Sequence, residues 1–410
     1  MCYRLIISVL LLSSGQVFSA ELPETRTFWM GFTPFPYDIT DAALIDTRES
    51  LRQNSDLVSN HLDEGIPWVE MLNGENVSGE LLSEWQYRLA LTEGKISLLS
   101  ITPIDISRSQ MAPYFSPSGV QSLPEPWASY AFDHPDVKSA YLNYARQAVA
   151  FFQPDYLVLG IEVNGLMKNS PQQWPGYLDL HRTVYQALKQ AYPELPIMVS
   201  LTGMDLLQDA TDANADDQAQ ALEQILPYTD YFALSLYPYM SAFTADIIPD
   251  DLFSRLRALS TKPMAITETG YIAEPLTVTF PDGPYTFSGS EAKQLEYMAL
   301  LFQSAQAFDI RLVVNFVLRD YDRIWDLMGQ GETLAIWRDT GIYDEAGNLR
   351  AAGQLWQQWL AADTRVSNRG SPFKPRTVPV NDPLMLGMFV LAMLASALWF
   401  NTKRLFRAMD

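Results

Sequence analysis

Tyr156-Leu157-Val158-Leu159-Gly160-Ile161-Glu162 is followed by an amphipathic stretch, Gln172–Ala191, and then by a second apolar run, Pro196–Leu201. The first run lacks the in-and-out alternation of a strand with one wet face, as expected of a strand covered on both sides. The stretch between the two runs has helical length and periodicity, and Pro193 and Pro196 stop it before the second begins. The segment therefore predicts a strand–helix–strand unit, which makes its two strands parallel.

Working outward, the same unit recurs. Apolar runs at Thr27–Thr33, Leu57–His61 and Ile96–Thr102 precede it, and runs at Tyr231–Tyr237, Pro263–Glu268 and Arg311–Phe316 follow it. Amphipathic stretches fall at Asp41–Gln53, Gly79–Glu93, Val137–Phe151, Asp216–Leu226, Asp250–Leu259, Gly289–Phe308 and Ala351–Leu360. Eight strands alternating with eight helices predict a single-domain (β/α)8 barrel over residues 21–362. The alternative is a doubly wound open sheet, which usually carries a Gly-rich phosphate turn after its first strand. Here that place holds Pro34-Phe35-Pro36.

The two ends read differently from the body. Arg4, the apolar run Leu5–Leu12 and the small pair Ser19-Ala20 have the order of a secretory signal peptide over residues 1–20. The single cysteine, Cys2, lies inside it, so the remaining chain has neither disulfides nor thiol chemistry. Residues 363–382 form a linker with Pro, Ser and Arg, followed by an uncharged apolar segment, Leu384–Phe400, and the basic residues Lys403, Arg404 and Arg407. We read residues 383–402 as a transmembrane helix and 403–410 as a cytoplasmic tail, with the barrel exported and membrane-anchored. A net charge of −20 disfavours nucleic acid and anionic polymers and suits a neutral substrate.

Candidate chemistry gathers at the carboxyl ends of strands, where barrels place their active sites. Glu162 closes the fourth strand and Glu268 the seventh. A carboxylate at the end of a buried strand is costly to desolvate and needs a partner or a purpose. Two on opposed strands could act on one glycosidic bond, one protonating the leaving oxygen and the other attacking the anomeric carbon. No G-x-S-x-G elbow occurs, and His61 is the only histidine at a strand end, which disfavours serine-hydrolase and metal-dependent chemistry.

Thr267-Glu268-Thr269-Gly270 and Gly160-Ile161-Glu162-Val163-Asn164 resemble the strand-seven and strand-four motifs of glycoside hydrolase clan A, the retaining (β/α)8 glycosidases. Within that clan the chain is most similar to the endo-β-1,4-galactanase family. The resemblance implies Glu162 as acid/base, Glu268 as nucleophile, Tyr237 as the tyrosine that orients the nucleophile, and no cofactor. Two positions depart from it. Ile161 stands where the clan has an Asn that contacts the sugar 2-hydroxyl, and Phe316 stands where it often has a Trp.

Asn164 and Asn315 are the candidates to replace the missing Asn, and Trp68 or Trp325 the missing platform. His61 is a candidate to orient a carboxylate or touch a hydroxyl. The long segment Pro103–Pro135, with Tyr114, Phe115, Trp127, Tyr130, Phe132 and His134, is expected to form a substrate wall, and Arg319 to close the opposite side. The acidic stretch Asp205–Asp217 lacks the ligand order of a calcium loop and reads as a solvated surface. The leading expectation is a retaining glycosidase of a neutral β-linked oligo- or polysaccharide. The alternative is a catalytically silent barrel that binds polysaccharide at the membrane surface.

Overall fold

The computed structural model describes residues 24–366, apart from 117–118, 243–247 and 281–282. Eight parallel strands make the frame: β1 (Trp29–Phe32), β2 (Leu57–Leu62), β3 (Ile96–Ile101), β4 (Tyr156–Val158), β5, β6 (Phe232–Leu236), β7 (Met264–Thr269) and β8 (Ile310–Asn315). β5 runs in two pieces, Ile197–Met198 and Ser200–Thr202, interrupted only at Val199. Its first piece pairs with β4 and its second with β6. β8 pairs with β1, so the ring closes and the sheet has no open edge. The expected (β/α)8 barrel is present.

Alternation along the strands divides the core in two. Leu57, Leu98, Val158, Met198, Ala233, Ala265, Leu312 and Val314 form an apolar plug inside the barrel. The intervening residues, Leu99, Leu157, Leu234 and Ile266 among them, face outward into the larger core beneath the helices. Both faces of each strand are thus dry, which is why the sequence shows apolar runs rather than alternation.

The surrounding helices are α1 (Asp41–Asn54), α2 (Gly79–Leu91), α3 (Pro135–Phe152), α4 (Trp174–Ala191), α5 (Ala215–Ile225), α6 (Leu252–Ala258), α7 (Glu291–Ala307) and α8 (Ala351–Leu360). Their starts follow local chemistry. Thr40, Asn214 and Ser290 accept a backbone N–H from the first turn of α1, α5 and α7, and Pro135 opens α3.

Two antiparallel hairpins lie within loops at the carboxyl ends of the strands. One joins Tyr114–Ser116 to Gly119–Gln121 and the other Leu276–Phe280 to Gly283–Phe287. At the opposite end of the domain, Thr25–Arg26 pairs with Asp363–Thr364. Among the described residues no helix is long and apolar enough to cross a membrane. The signal peptide expected at 1–20 and the membrane helix expected at 383–402 lie outside the described residues, as does most of the linker.

Candidate active site

The path of the chain after β4 decides where Glu162 points. The regular strand ends at Val158, four residues earlier than the apolar run suggests, although Leu159 N–H still donates to Met198 O and Gly160 O still accepts from Ser200 N–H. The segment 159–163 then turns, held by neighbours on both sides. Ile161 N–H donates to Thr102 Oγ1 at 3.3 Å, and Glu162 N–H to Ser200 Oγ at 2.9 Å. Gly160 is required there, because a Cβ would lie 2.5 Å from the Tyr177 hydroxyl. Ile161 drops onto the apolar plug of the barrel and is 2% exposed. Glu162 takes the left-handed conformation, φ 51°, which costs a non-glycine residue about 1–2 kcal/mol. That turn lifts its carboxylate out of the barrel wall. Its Oε2 accepts from Arg108 Nε at 3.1 Å, and Oε1 has no partner among the described residues.

Glu268 reaches the mouth on β7, whose register against β6 shifts by one residue at Thr267 but which has no left-handed residue. Its Oε1 accepts the Tyr237 hydroxyl at 2.5 Å, and its Oε2 lies 3.2 Å from His61 Nδ1. The other imidazole nitrogen is 3.5 Å from Asp63 Oδ2, so Asp63, His61 and Glu268 form a line across the ends of β2 and β7. Burial opposes a charge on His61, but Asp63 and then Glu268 outweigh it and push its pKa up to about 9. Asp63 is held down at about 2, its burial being outweighed by His61 and the nearby Arg108 and Arg88. Burial raises the Glu268 carboxyl above its ordinary value and the charge of Glu162 adds to this, against the opposing pull of His61 and Tyr237. The two glutamates therefore share one electrostatic environment. Behind this line a buried Arg88 donates to Glu64 and Glu84, both at 2.8 Å. Burial and the charge of Glu84 push Glu64 up to about 8.

The structure corrects several expected substrate contacts. Asn164 is fully buried and spends its amide on Thr202 and Gln218, tying the end of β4 to β5 and α5. Asn315 is also fully buried and donates to the carbonyls of Val317 and Thr340. Neither replaces the Asn absent at position 161. Trp68 is buried, with its indole N–H on Ala112 O, and packs against Trp127, which is 4% exposed. Both are core residues rather than sugar platforms. Phe115 and Phe132 are buried as well, and Tyr130 stacks on His134 at 3.6 Å, so much of the expected aromatic wall is the loop's own core. Arg319 is taken up by Tyr37, Asp46 and Glu345. Trp325 lies under Arg338 and donates to Gly331 O.

Other residues enter in their place. Arg108 comes from a loop whose sequence carries no periodic signal. Asp63 was legible in principle, since it lies two positions beyond His61. Trp337, half-buried in the segment after β8, meets Tyr237 edge to face at 6.3 Å. The acidic stretch after β5 is partly neutralised, with Lys168 reaching both Asp205 and Asp212. Among the described residues one carboxylate group, Asp320, Asp322 and Glu345, is tight enough to share a cation. Asp320 is already bound by Arg350 at 2.6 Å and by the Gly341 N–H.

The fold and the pair of glutamates define a (β/α)8 barrel with a two-carboxylate mouth. No family model and no curated protein matches the chain. Solved structures do. GH5_18 from Streptomyces cattleya, in complex with GlcNAc, matches with TM-score 0.56 and 13% identity over 82% of this chain and 80% of that one. The exo-β-1,4-mannosidase from Opitutaceae bacterium strain TAV5 matches with TM-score 0.55 and 14% identity over 83% of this chain and 60% of that one. A fungal β-1,4-galactanase matches with TM-score 0.49 and 14% identity over 82% and 99%. At these identities the likeness to the first two establishes a shared barrel fold.

Proposed function

We propose that the protein is a retaining glycoside hydrolase of neutral β-linked glycans, with Glu268 as nucleophile and Glu162 as acid/base. The observation that carries this reading is the different setting of the two carboxylates at one mouth. Glu268 accepts the Tyr237 hydroxyl on one oxygen and has the His61 imidazole 3.2 Å from the other, and both favour its charged form. Glu162 keeps one oxygen free of partners among the described residues. In the first step a Glu268 oxygen bonds to the anomeric carbon as the bond to the leaving oxygen breaks, and Glu162 passes its proton to that oxygen. In the second, Glu162 takes a proton from water, whose oxygen displaces Glu268 from the anomeric carbon.

The neighbours support the substrate class, since the barrels it resembles include an exo-β-1,4-mannosidase and one solved with GlcNAc. β-1,4-linked mannosides are therefore the first substrates to try, and the net charge of −20 agrees with a neutral sugar. The proposal places the barrel outside the cytoplasm, exported by residues 1–20 and anchored by 383–402.

A second reading, a silent barrel that binds glycan without cutting it, is favoured by one observation, the Arg108 guanidinium on the presumed proton donor. Reducing ends released from a panel of β-linked oligosaccharides by wild type and Glu268→Gln separate the two. Turnover lost in the variant supports the enzyme. Glycan binding by both proteins, with no turnover by either, supports the binder.

A further inference from the structure

We propose that Arg108 is a positioning residue for proton transfer. It fixes the Glu162 carboxylate through Oε2, so that Oε1 is presented to the leaving oxygen. This rests on the acid/base reading of Glu162.

The loop that carries Arg108 is built around that presentation. Asp105, 1% exposed, accepts the backbone N–H groups of Ser109 and Gln110 and the Ser107 hydroxyl, closing residues 105–110 into a tight turn. Arg108 Nη1 donates to Asp105 O at 3.1 Å, and Asn169 ties Ser107 O to the short helix Gly165–Asn169 after Glu162. The stem of Arg108 crosses Gly165 so closely that a Cβ there would lie 2.7 Å from the Arg108 Cβ.

Both members of the ion pair have positive φ, 52° for Arg108 and 51° for Glu162. Such a conformation is unfavourable for a non-glycine residue and persists where the surroundings over-determine it, often at functional sites. Two strained residues in direct contact mean that the protein maintains this geometry against a local penalty. An arginine that merely neutralised Glu162 would not require it. During the first step the Glu162 O–H bond breaks, its proton goes to the glycosidic oxygen, and that oxygen keeps the electron pair of the bond it loses to carbon. A donor rotated away from that oxygen transfers its proton poorly, whereas a leaving group stable as an anion departs without it.

The experiment compares kcat/KM on two substrates with the same glycosyl unit, one with a sugar leaving group and one with dinitrophenol. Arg108→Met is expected to lose roughly 10–100-fold on the sugar leaving group, the scale of a misplaced reacting group. On the dinitrophenyl substrate it is expected to stay within about threefold, since departure needs no proton. Arg108→Lys should fall between Arg108→Met and wild type. Gly165→Ala, which keeps every charge and whose methyl would press on Arg108 Cβ and Cγ, should show the same leaving-group dependence and carries the test if Arg108→Met does not fold. Equal losses on both substrates, or none on either, overturn the proposal. Glu162→Gln is the reference. A loss in that variant that ignores the leaving group overturns the acid/base reading itself, whereas a leaving-group-dependent loss in Glu162→Gln but not in the Arg108 variants overturns only the role of Arg108.

Discussion

The carboxyl ends of β4 and β7 present the same residue type by opposite means. β7 continues as a strand through Glu268 to Thr269, with a register shift beside β6 at Thr267 but no left-handed residue. β4 ends as a regular strand at Val158, and Glu162 arrives from a turn that needs Gly160, a left-handed φ and an acceptor from Ser200. Glu268 is held by a hydroxyl and an imidazole, through both oxygens. Glu162 is held by a guanidinium, through one. A group that must attack in a fixed direction benefits from two anchors, whereas one that must give and later take a proton needs an oxygen left open.

The comparison breaks most visibly at Glu268. Glu268→Gln is expected to lower turnover by several orders of magnitude whatever the leaving group, because no nucleophile then remains. Any leaving-group rescue of this variant would blur the division between the two strands.

The next effect is at Tyr237. A hydrogen bond to a charged group contributes about 1.5–3 kcal/mol, so Tyr237→Phe should cost about 10–100-fold in kcat with little change in KM. A rise in KM alone would place Tyr237 on the substrate instead.

His61 sharpens the comparison through pH. Its imidazolium can donate to Glu268 and Asp63 at once, and a neutral ring loses one of the two N–H groups. On the dinitrophenyl substrate, whose departure needs no proton from Glu162, wild-type kcat should therefore fall as pH rises through about 9, and His61→Gln should lack that limb. Stability has a matching window. The contribution of the raised His61 is complete below its ordinary 6.5 and is lost as pH rises through about 9. That of the depressed Asp63 is complete above its ordinary 3.8 and is lost as pH falls through about 2. Asp63→Asn should accordingly destabilise by about 2 kcal/mol near pH 5–6 in urea unfolding, and by less at pH 2 or 10. A cost independent of pH would contradict the charged line.

The smallest effect belongs to Ser200. Ser200→Ala removes the acceptor of the Glu162 N–H, a bond of about 1 kcal/mol, and should slow sugar leaving groups about fivefold. The turn after β4 would then be less firmly set while β7 is untouched.

How much of this was legible in the chain follows from where each residue sits. Strands and helices show through because a barrel strand buried on both faces must be an apolar run, and a helix with one covered face must be amphipathic. Glu162, Glu268, Tyr237 and His61 could be singled out because a strand end fixes roughly where its last side chain goes. That rule does not settle every residue at or just beyond a strand end. Asn164 and Asn315 turn inward because the backbone after β4 and β8 leaves carbonyls and amides that need partners, and their amides supply them. Trp68 and Trp127 are polar enough to suggest a sugar platform, yet they pack on each other beneath the loop. Arg108 gave no signal because its direction depends on the Asp105 turn and on the absence of a side chain at Gly165, far along the chain.

The most direct test is the anomeric configuration of the first-formed product, followed by proton NMR during hydrolysis of a β-linked substrate. A β-configured product that mutarotates later is predicted, since attack by Glu268 and then by water inverts the centre twice. An initial α-product would mean that water attacks the sugar directly, and would contradict the assignment of Glu268 as nucleophile.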